Sequence, residues 1–285
     1  MSARRRFLAG LIALLLAATL AACATIYNPA TGRRETLLTT PVEVALGNVA
    51  RTQMGLFSLK VGAVPDDQYA RVQEIGRRIA RVSDRQDVAY QFGVIREKGL
   101  NAFTLPGGTI YVYTGLIEQA DEDELAAVLS HEMGHAAARH TAKQLQADLG
   151  FTLLMQIAAA AGAAPDAARV ADSMYGLLRN GYSRQDELEA DRLGIRYALR
   201  AGYNPEGMVT FLEKMLQEHP EDAVDKASVW RRTHPLTSDR IAQAKKEIET
   251  LRQGRFCPVC GRAYGPEQKF CERDGTPLKE REAAE

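Results

Sequence analysis

The stretch His131-Glu132-Met133-Gly134-His135 decides how this chain is read. It lies inside a strongly helical run. Residues four apart on a helix share a face, so both imidazoles can bind one zinc ion. Glu132 sits beside them, placed to take a proton from a metal-held water. The bland reading is a pair of buried histidines satisfied by neighbours. Gly134 speaks against it: a glycine costs a helix interior about 1 kcal/mol relative to alanine and wants a reason.

A catalytic zinc needs a third protein ligand and an open position. His140 lies five residues past His135 and is expected to point elsewhere. Glu187-Leu188-Glu189-Ala190-Asp191 offers a carboxylate, with Glu187 and Asp191 four apart on one face. Ile195 and Ala198 continue that face, so it points inward. Buried carboxylates without partners are expensive, and a metal is a natural explanation. A solvated acidic face would suit Glu189 but not the pair. The third candidate is His234, in His234-Pro235-Leu236-Thr237-Ser238-Asp239-Arg240. His140 and His219 are read as surface residues.

Working outward from the motif, Asp121 and Glu124 form a capping box ahead of it. Helices are expected from Pro41 to Phe57 and from Asp66 to Val82. Period-two segments follow: Val88–Ile95 and Thr109–Tyr113 read as strands. Between them Asn101-Ala102-Phe103-Thr104-Leu105-Pro106-Gly107-Gly108 is demoted to an edge by its proline. Ser183–Ala201, Pro205–Glu218 and Ser238–Arg252 read as helices. Gly150–Pro165 is uncharged and too short to span a bilayer. It reads as a buried helical hairpin or as a membrane-facing or lid surface. The expected fold is α+β and mainly helical, with a small sheet whose edge strand lines the cleft.

The N-terminus reads as a targeting segment. Arg4, Arg5 and Arg6 precede an uncharged run, Phe7–Ala22, that ends in Leu20-Ala21-Ala22-Cys23. That is a signal peptide over 1–22 with a lipobox, and Cys23 is the expected lipidation site. Residues 23–40 read as a lipidated N-terminus and tether, 41–253 as the metal-binding domain, 255–278 as a separate module and 279–285 as a charged tail.

Composition excludes several classes. The 285 residues are 46% hydrophobic and 25% charged, which is globular rather than disordered. Lys+Arg and Asp+Glu both total 36, so no basic excess supports nucleic-acid binding. Four cysteines do not make a dense disulfide framework.

The motif His131–His135, followed by Ser183-Arg184-Gln185-Asp186-Glu187-Leu188-Glu189-Ala190-Asp191-Arg192-Leu193-Gly194, resembles the gluzincin zinc metallopeptidases of the CAAX prenyl protease and HtpX family. The nearest resemblance is to its BepA-like periplasmic lipoproteins. Tyr27-Asn28-Pro29 with Thr31-Gly32-Arg33, Asn101-Ala102-Phe103 and His234-Pro235 with Arg240 also match. The resemblance implies Glu187 as third ligand, Glu132 as catalytic base and Asp191 behind the ligands. It implies substrate binding along Asn101, Ala102 and Phe103, and catalytic roles for His234 and Arg240. His234 either donates to the oxyanion or occupies the open metal position. The implied activity is endoproteolysis of unfolded or misassembled envelope proteins. The implied location is the periplasmic side of the outer membrane, beside the envelope assembly machinery. A chaperone or scaffold with self-inhibited proteolysis is the alternative. The tetratricopeptide region of the BepA-like proteins is missing here, which leaves the partners open.

A small module stands in its place. Cys257-Pro258-Val259-Cys260, then Cys271-Glu272-Arg273-Asp274-Gly275, resembles a short zinc ribbon with Asp274 where a fourth cysteine is usual. Three thiolates and a carboxylate would bind a second, structural zinc. An oxidising envelope would instead favour a disulfide with one thiol left over.

Overall fold

The structure is a computed structural model that describes residues 23–160, 166–217, 228–235, 238–259, 263–264, 266–271 and 274–280. In chain order, a hairpin of β1 (Cys23–Asn28) and β2 (Arg33–Leu38) precedes α1 (Thr40–Gln53), β3 (Lys60–Val61) and α2 (Asp66–Ala80). The strands β4 (Gln91–Ile95), β5 (Ala102–Leu105) and β6 (Thr109–Tyr113) come next. The helices α3 (Thr114–Gln119), α4 (Glu122–Ala138), α5 (His140–Leu149), α6 (Phe151–Ala159) and α7 (Ala168–Asn180) follow. Then come α8 (Arg184–Arg200), α9 (Gly207–Gln217), α10 (Ser228–Thr233) and α11 (Ser238–Gln253). The short strands β7 (Arg255–Phe256), β8 (Ala263–Tyr264) and β9 (Lys279–Glu280) close the chain.

The central sheet has the order β3-β4-β6-β5. β3, β4 and β6 run parallel, and β5 pairs antiparallel with β6 at the edge. Period-two alternation divides its side chains between two cores. Ala102, Ile110 and Val112 pack with α2 and α4, around Ile75, Leu129 and Met133. Phe103, Leu105 and Tyr111 pack on the other side with Leu46 and Val49 of α1, Leu154 and Ile157 of α6, and Val170 and Met174 of α7. The uncharged stretch at 150–165 therefore gives a short helix with one buried face; residues 161–165 lie outside the described ones.

Asp121 caps α4 as the sequence predicts. Its side chain accepts from the Glu124 N–H at 2.9 Å, and Glu124 accepts from the Asp121 N–H at 3.0 Å. The other end of α4 is held from outside. The carbonyl of Ala136, which also accepts from the Arg139 N–H at 3.2 Å, accepts from Arg85 at 2.8 Å, and that of Ala137 accepts from the Asn28 amide at 3.0 Å. Arg139 then takes the left-handed conformation, φ 62°, which costs a non-glycine residue about 1–2 kcal/mol. Buried hydrogen bonds offset that cost: its guanidinium donates to the Leu38 carbonyl at 2.8 Å and to Glu43 at 2.6 Å. Glu43 also accepts from Arg85 at 2.8 Å.

Residues 23–40 differ from the tether expected of them. They form an antiparallel hairpin with register Cys23↔Leu38 to Asn28↔Arg33. Leu38 is fully buried, and Asn28 is buried against the end of α4. The turn signals Asn28-Pro29 and Thr31-Gly32 are real, but they connect two strands. Pairing between strands is not visible in local composition. At the far end β9 pairs with β7, so part of the expected charged tail belongs to the small module; residues 281–285 lie outside the described ones.

Gly134 has its reason in the approach of α4 to α8. A Cβ there would stand 2.8 Å from the Ala190 carbonyl oxygen. Gly194 on α8 is its counterpart, where a Cβ would stand 2.9 Å from the His131 nitrogen. Glycine on both helices lets the two metal-motif backbones touch.

Candidate active site

The helices α4 and α8 cross at these glycines, and the crossing brings the two motifs together. His131, His135, Glu187 and His234 each offer a ligand atom, and those atoms lie within 4.8 Å of one another. All four side chains are essentially without solvent exposure. The Nε2 atoms of His131 and His135 face each other at 3.0 Å, and Glu187 Oε1 lies 3.3 Å from His135 Nε2.

The back side of each ring is already engaged. His131 Nδ1 faces Asp191 Oδ1 at 2.9 Å. His135 Nδ1 faces His140 Nδ1 at 2.9 Å, and His140 Nε2 faces Glu189 Oε2 at 3.2 Å and Asp186 Oδ1 at 3.3 Å. A proton on each Nδ1 leaves both Nε2 atoms as lone pairs pointing at one another. Two such lone pairs with a carboxylate beside them are repulsive unless a cation lies between. The donor set, two imidazoles and a carboxylate backed by hydrogen-bond partners, is one that zinc takes. Burial holds His135 well below its ordinary pKa, which keeps it neutral and able to ligate.

Arg240 lies behind the ligands. Its Nε and one terminal nitrogen grip Asp191 at 2.7 Å each, and the other terminal nitrogen lies 2.6 Å from Glu187 Oε2. Burial would raise the Glu187 carboxyl, but Arg240 and His234 outweigh it and hold it well below the usual range. Asp191 is held down in the same way, by Arg240 and His131 against burial. These contacts fix the orientation of Glu187 and Asp191.

Glu132 Oε2 accepts from the Thr104 hydroxyl of β5 at 2.8 Å. Its Oε1 faces His234 Nε2 at 3.2 Å. His234 thus stands between the ligands and the glutamate: its Nδ1 lies 3.1 Å from Glu187 Oε1 and 3.2 Å from His131 Nε2. The ring stacks on Trp230 with centroids 4.2 Å apart. Burial pushes the His234 imidazole down, but Glu187 and Glu132 outweigh it and hold it above its ordinary value.

The same residue covers the sheet edge. His234 Nε2 lies 3.4 Å from the Ala102 carbonyl, and the Thr141 hydroxyl donates to the Thr104 carbonyl at 3.2 Å. Asn101 is buried and accepts from Thr233 at 3.2 Å. The Phe103 side chain points away from the ligands, into the second core, stacked on Tyr111. Of the predicted strand residues, it is the backbone of β5 that meets the site.

Two expectations about side chains are corrected. His140 is buried against His135 rather than on the surface, and Glu189 is 7% exposed and bonded to His140 rather than solvated. The left-handed Arg139 breaks the helix, so His140 begins α5 and turns back onto His135. Thr104, Tyr182 and Trp230 carried no signal in the sequence; Tyr182 stacks on His135 at 3.8 Å. His219 and Cys260 lie outside the described residues, and of Cys23 only the backbone, opening β1, is described.

The comparisons with known proteins agree with this geometry. The model of peptidase family M48 matches residues 66–248. The chain is 29% identical over 193 residues to the beta-barrel assembly-enhancing protease of Escherichia coli (strain K12), covering 64% of this chain and 39% of that protein. It is 33% identical over 190 residues to the mitochondrial metalloendopeptidase OMA1 of Schizosaccharomyces pombe, covering 66% and 56%. It is 31% identical over 178 residues to metalloprotease LoiP of Escherichia coli (strain K12), covering 56% and 69%. The chain thus spans about two-fifths of the first relative and over half of the second. The match runs from α2 into α11 and takes in both crossing helices, His234 and Arg240. On that match, and with a buried group of three histidines and a glutamate that could hold a metal ion, the chain belongs to peptidase family M48, a family of zinc metallopeptidases.

Proposed function

We propose that this chain is an endopeptidase of unfolded or misassembled envelope proteins, resting in a capped state. His131, His135 and Glu187 would hold the zinc. Bound zinc supplies Lewis acidity that polarises a carbonyl and lowers the pKa of water. Glu132, oriented by Thr104, takes the proton and returns it to the leaving amine. Asp191 and Arg240 hold His131 and Glu187 in position. An extended substrate adds to the edge of β5, where alternate main-chain groups at Ala102 and Thr104 face outward. Main-chain pairing has little side-chain selectivity, which suits unfolded chains.

The observation that carries the capped state is His234. One buried ring lies against the ligands, the glutamate and the Ala102 carbonyl together, so its departure would open the metal and the strand edge in one movement. The same observation favours a second reading, a chaperone or assembly scaffold whose proteolysis is held off. The envelope assignment draws on the similarity to the beta-barrel assembly-enhancing protease and on the reading of residues 1–22 as a targeting segment. Acylation at Cys23 would tether the protein to the periplasmic face of the outer membrane; among the described residues no helix is long and apolar enough to cross a membrane.

Casein digestion by wild type beside Glu132→Gln tests the peptidase reading. Loss of cleavage with zinc content unchanged supports it. Equal cleavage by both proteins, or none by wild type even after His234→Ala, would leave the scaffold reading.

A further inference from the structure

The metallopeptidase match ends at residue 248, and the small module begins at Arg255. β7 pairs with β8 and with β9, and Phe270 bridges Pro277. The buried residues of its hydrophobic cluster are Cys257, Tyr264 and Cys271, with Leu278 packed against them. Among the described residues, so small a cluster does not supply the burial that a separate module requires. Modules of this size are held by a disulfide or a metal.

We propose that Cys257, Cys271 and Asp274 are ligands of a second, structural zinc site, separate from the catalytic one. Each offers a ligand atom, and those atoms lie within 4.8 Å of one another. Cys257 and Cys271 are 0% and 3% exposed. The Tyr264 hydroxyl lies 3.0 Å from Cys271 Sγ, placed to donate to a thiolate. The turn that carries Asp274 is closed on Cys271. Gly275, at φ 71°, donates to the Cys271 carbonyl at 2.8 Å, and the Cys271 N–H donates to the Thr276 carbonyl at 2.8 Å. Asp274 accepts from the Thr276 N–H at 2.9 Å, which fixes the carboxylate beside Cys271. In the sequence, Cys-Glu-Arg-Asp-Gly at 271–275 repeats the spacing of Cys-Pro-Val-Cys-Gly at 257–261, with a carboxylate in place of a thiol. Thiolates and a carboxylate are zinc ligands. Zinc takes cysteine as the thiolate and a site of this kind does not exist in the unfolded chain, so metal binding and folding of the module are coupled.

Elemental analysis of the full chain, purified under reducing conditions and supplied with zinc, tests this. The account expects about two zinc ions per chain in wild type and about one in Cys257→Ser/Cys271→Ser, with casein cleavage retained. Glu187→Gln should also hold about one, and the two losses should add. Cobalt substitution should give a thiolate-to-metal charge-transfer band that the double variant lacks. Asp274→Ala should weaken zinc binding at the module, and Asp274→Cys should restore it. One zinc in both wild type and the double variant overturns the proposal. So does a Cys257–Cys271 disulfide in protein isolated from cells without added reductant.

Discussion

His135 Nδ1 lies 2.9 Å from His140 Nδ1, and the far nitrogen of His140 lies 3.2 Å from Glu189 Oε2. The proton order along this chain is fixed at both ends. A zinc ligand needs its Nε2 lone pair, so His135 carries its proton on Nδ1 and donates to His140. His140 then carries its own proton on Nε2 and donates to Glu189. Such partners fix the tautomer and ring angle of a metal-bound histidine, and losing one typically costs 10–100-fold in metal affinity.

His140→Ala should therefore weaken zinc binding by roughly that factor, read by competition with a chromophoric chelator. Glu189→Gln keeps an acceptor oxygen for His140 and should cost less. An unchanged zinc affinity in His140→Ala would remove the relay.

Arg240 presents a second dependence. It is the buried cation for both Glu187 and Asp191. Removing one partner of a buried ion pair costs about 3–5 kcal/mol, because the other charge stays behind uncompensated. Arg240→Leu should lose that much in urea unfolding of the metal-free protein. Arg240→Lys should recover part of it, since an ammonium cannot grip Asp191 with two parallel bonds. Equal stability of Arg240→Leu and wild type would contradict the arrangement.

The glycine crossing predicts a coupled defect. Gly134→Ala puts a methyl 2.8 Å from the Ala190 oxygen, and Gly194→Ala puts one 2.9 Å from the His131 nitrogen. Overpacking of this kind costs about 1–3 kcal/mol. Because the contact separates the helices that carry His131 and Glu187, thermal stability and zinc affinity should fall together in both variants. Gly176→Ala, inside α7 with open space at its Cβ, should leave zinc affinity unchanged and raise stability by up to about 1 kcal/mol.

Much of this site is legible in the sequence because it is written in helical spacing. His131 and His135 are four apart, as are Glu187 and Asp191, and each pair needs only one continuous helix to converge. Pro106 likewise marks β5 as an edge before any pairing is known. His140 was illegible because the reading of its direction assumed that α4 continues. The left-handed Arg139 ends that helix, and it is held there by Leu38 and Glu43, about a hundred residues away. Glu189 follows the same logic: its burial depends on His140, at the start of α5, turning back onto it. The hairpin at residues 23–38 is not legible in the sequence, because strand register is a property of two segments and each alone reads as turn-rich coil.

His234 closes the site, its ring 3.2 Å from Glu132 and 3.1 Å from Glu187. The most direct test of that closure is the initial rate of casein hydrolysis by His234→Ala beside wild type at saturating zinc. A capping residue predicts a faster rate, because water and the substrate strand regain their places. A fall of roughly 10²–10³ with zinc retained would instead mark an oxyanion donor and contradict the cap, and an unchanged rate would deny His234 either role.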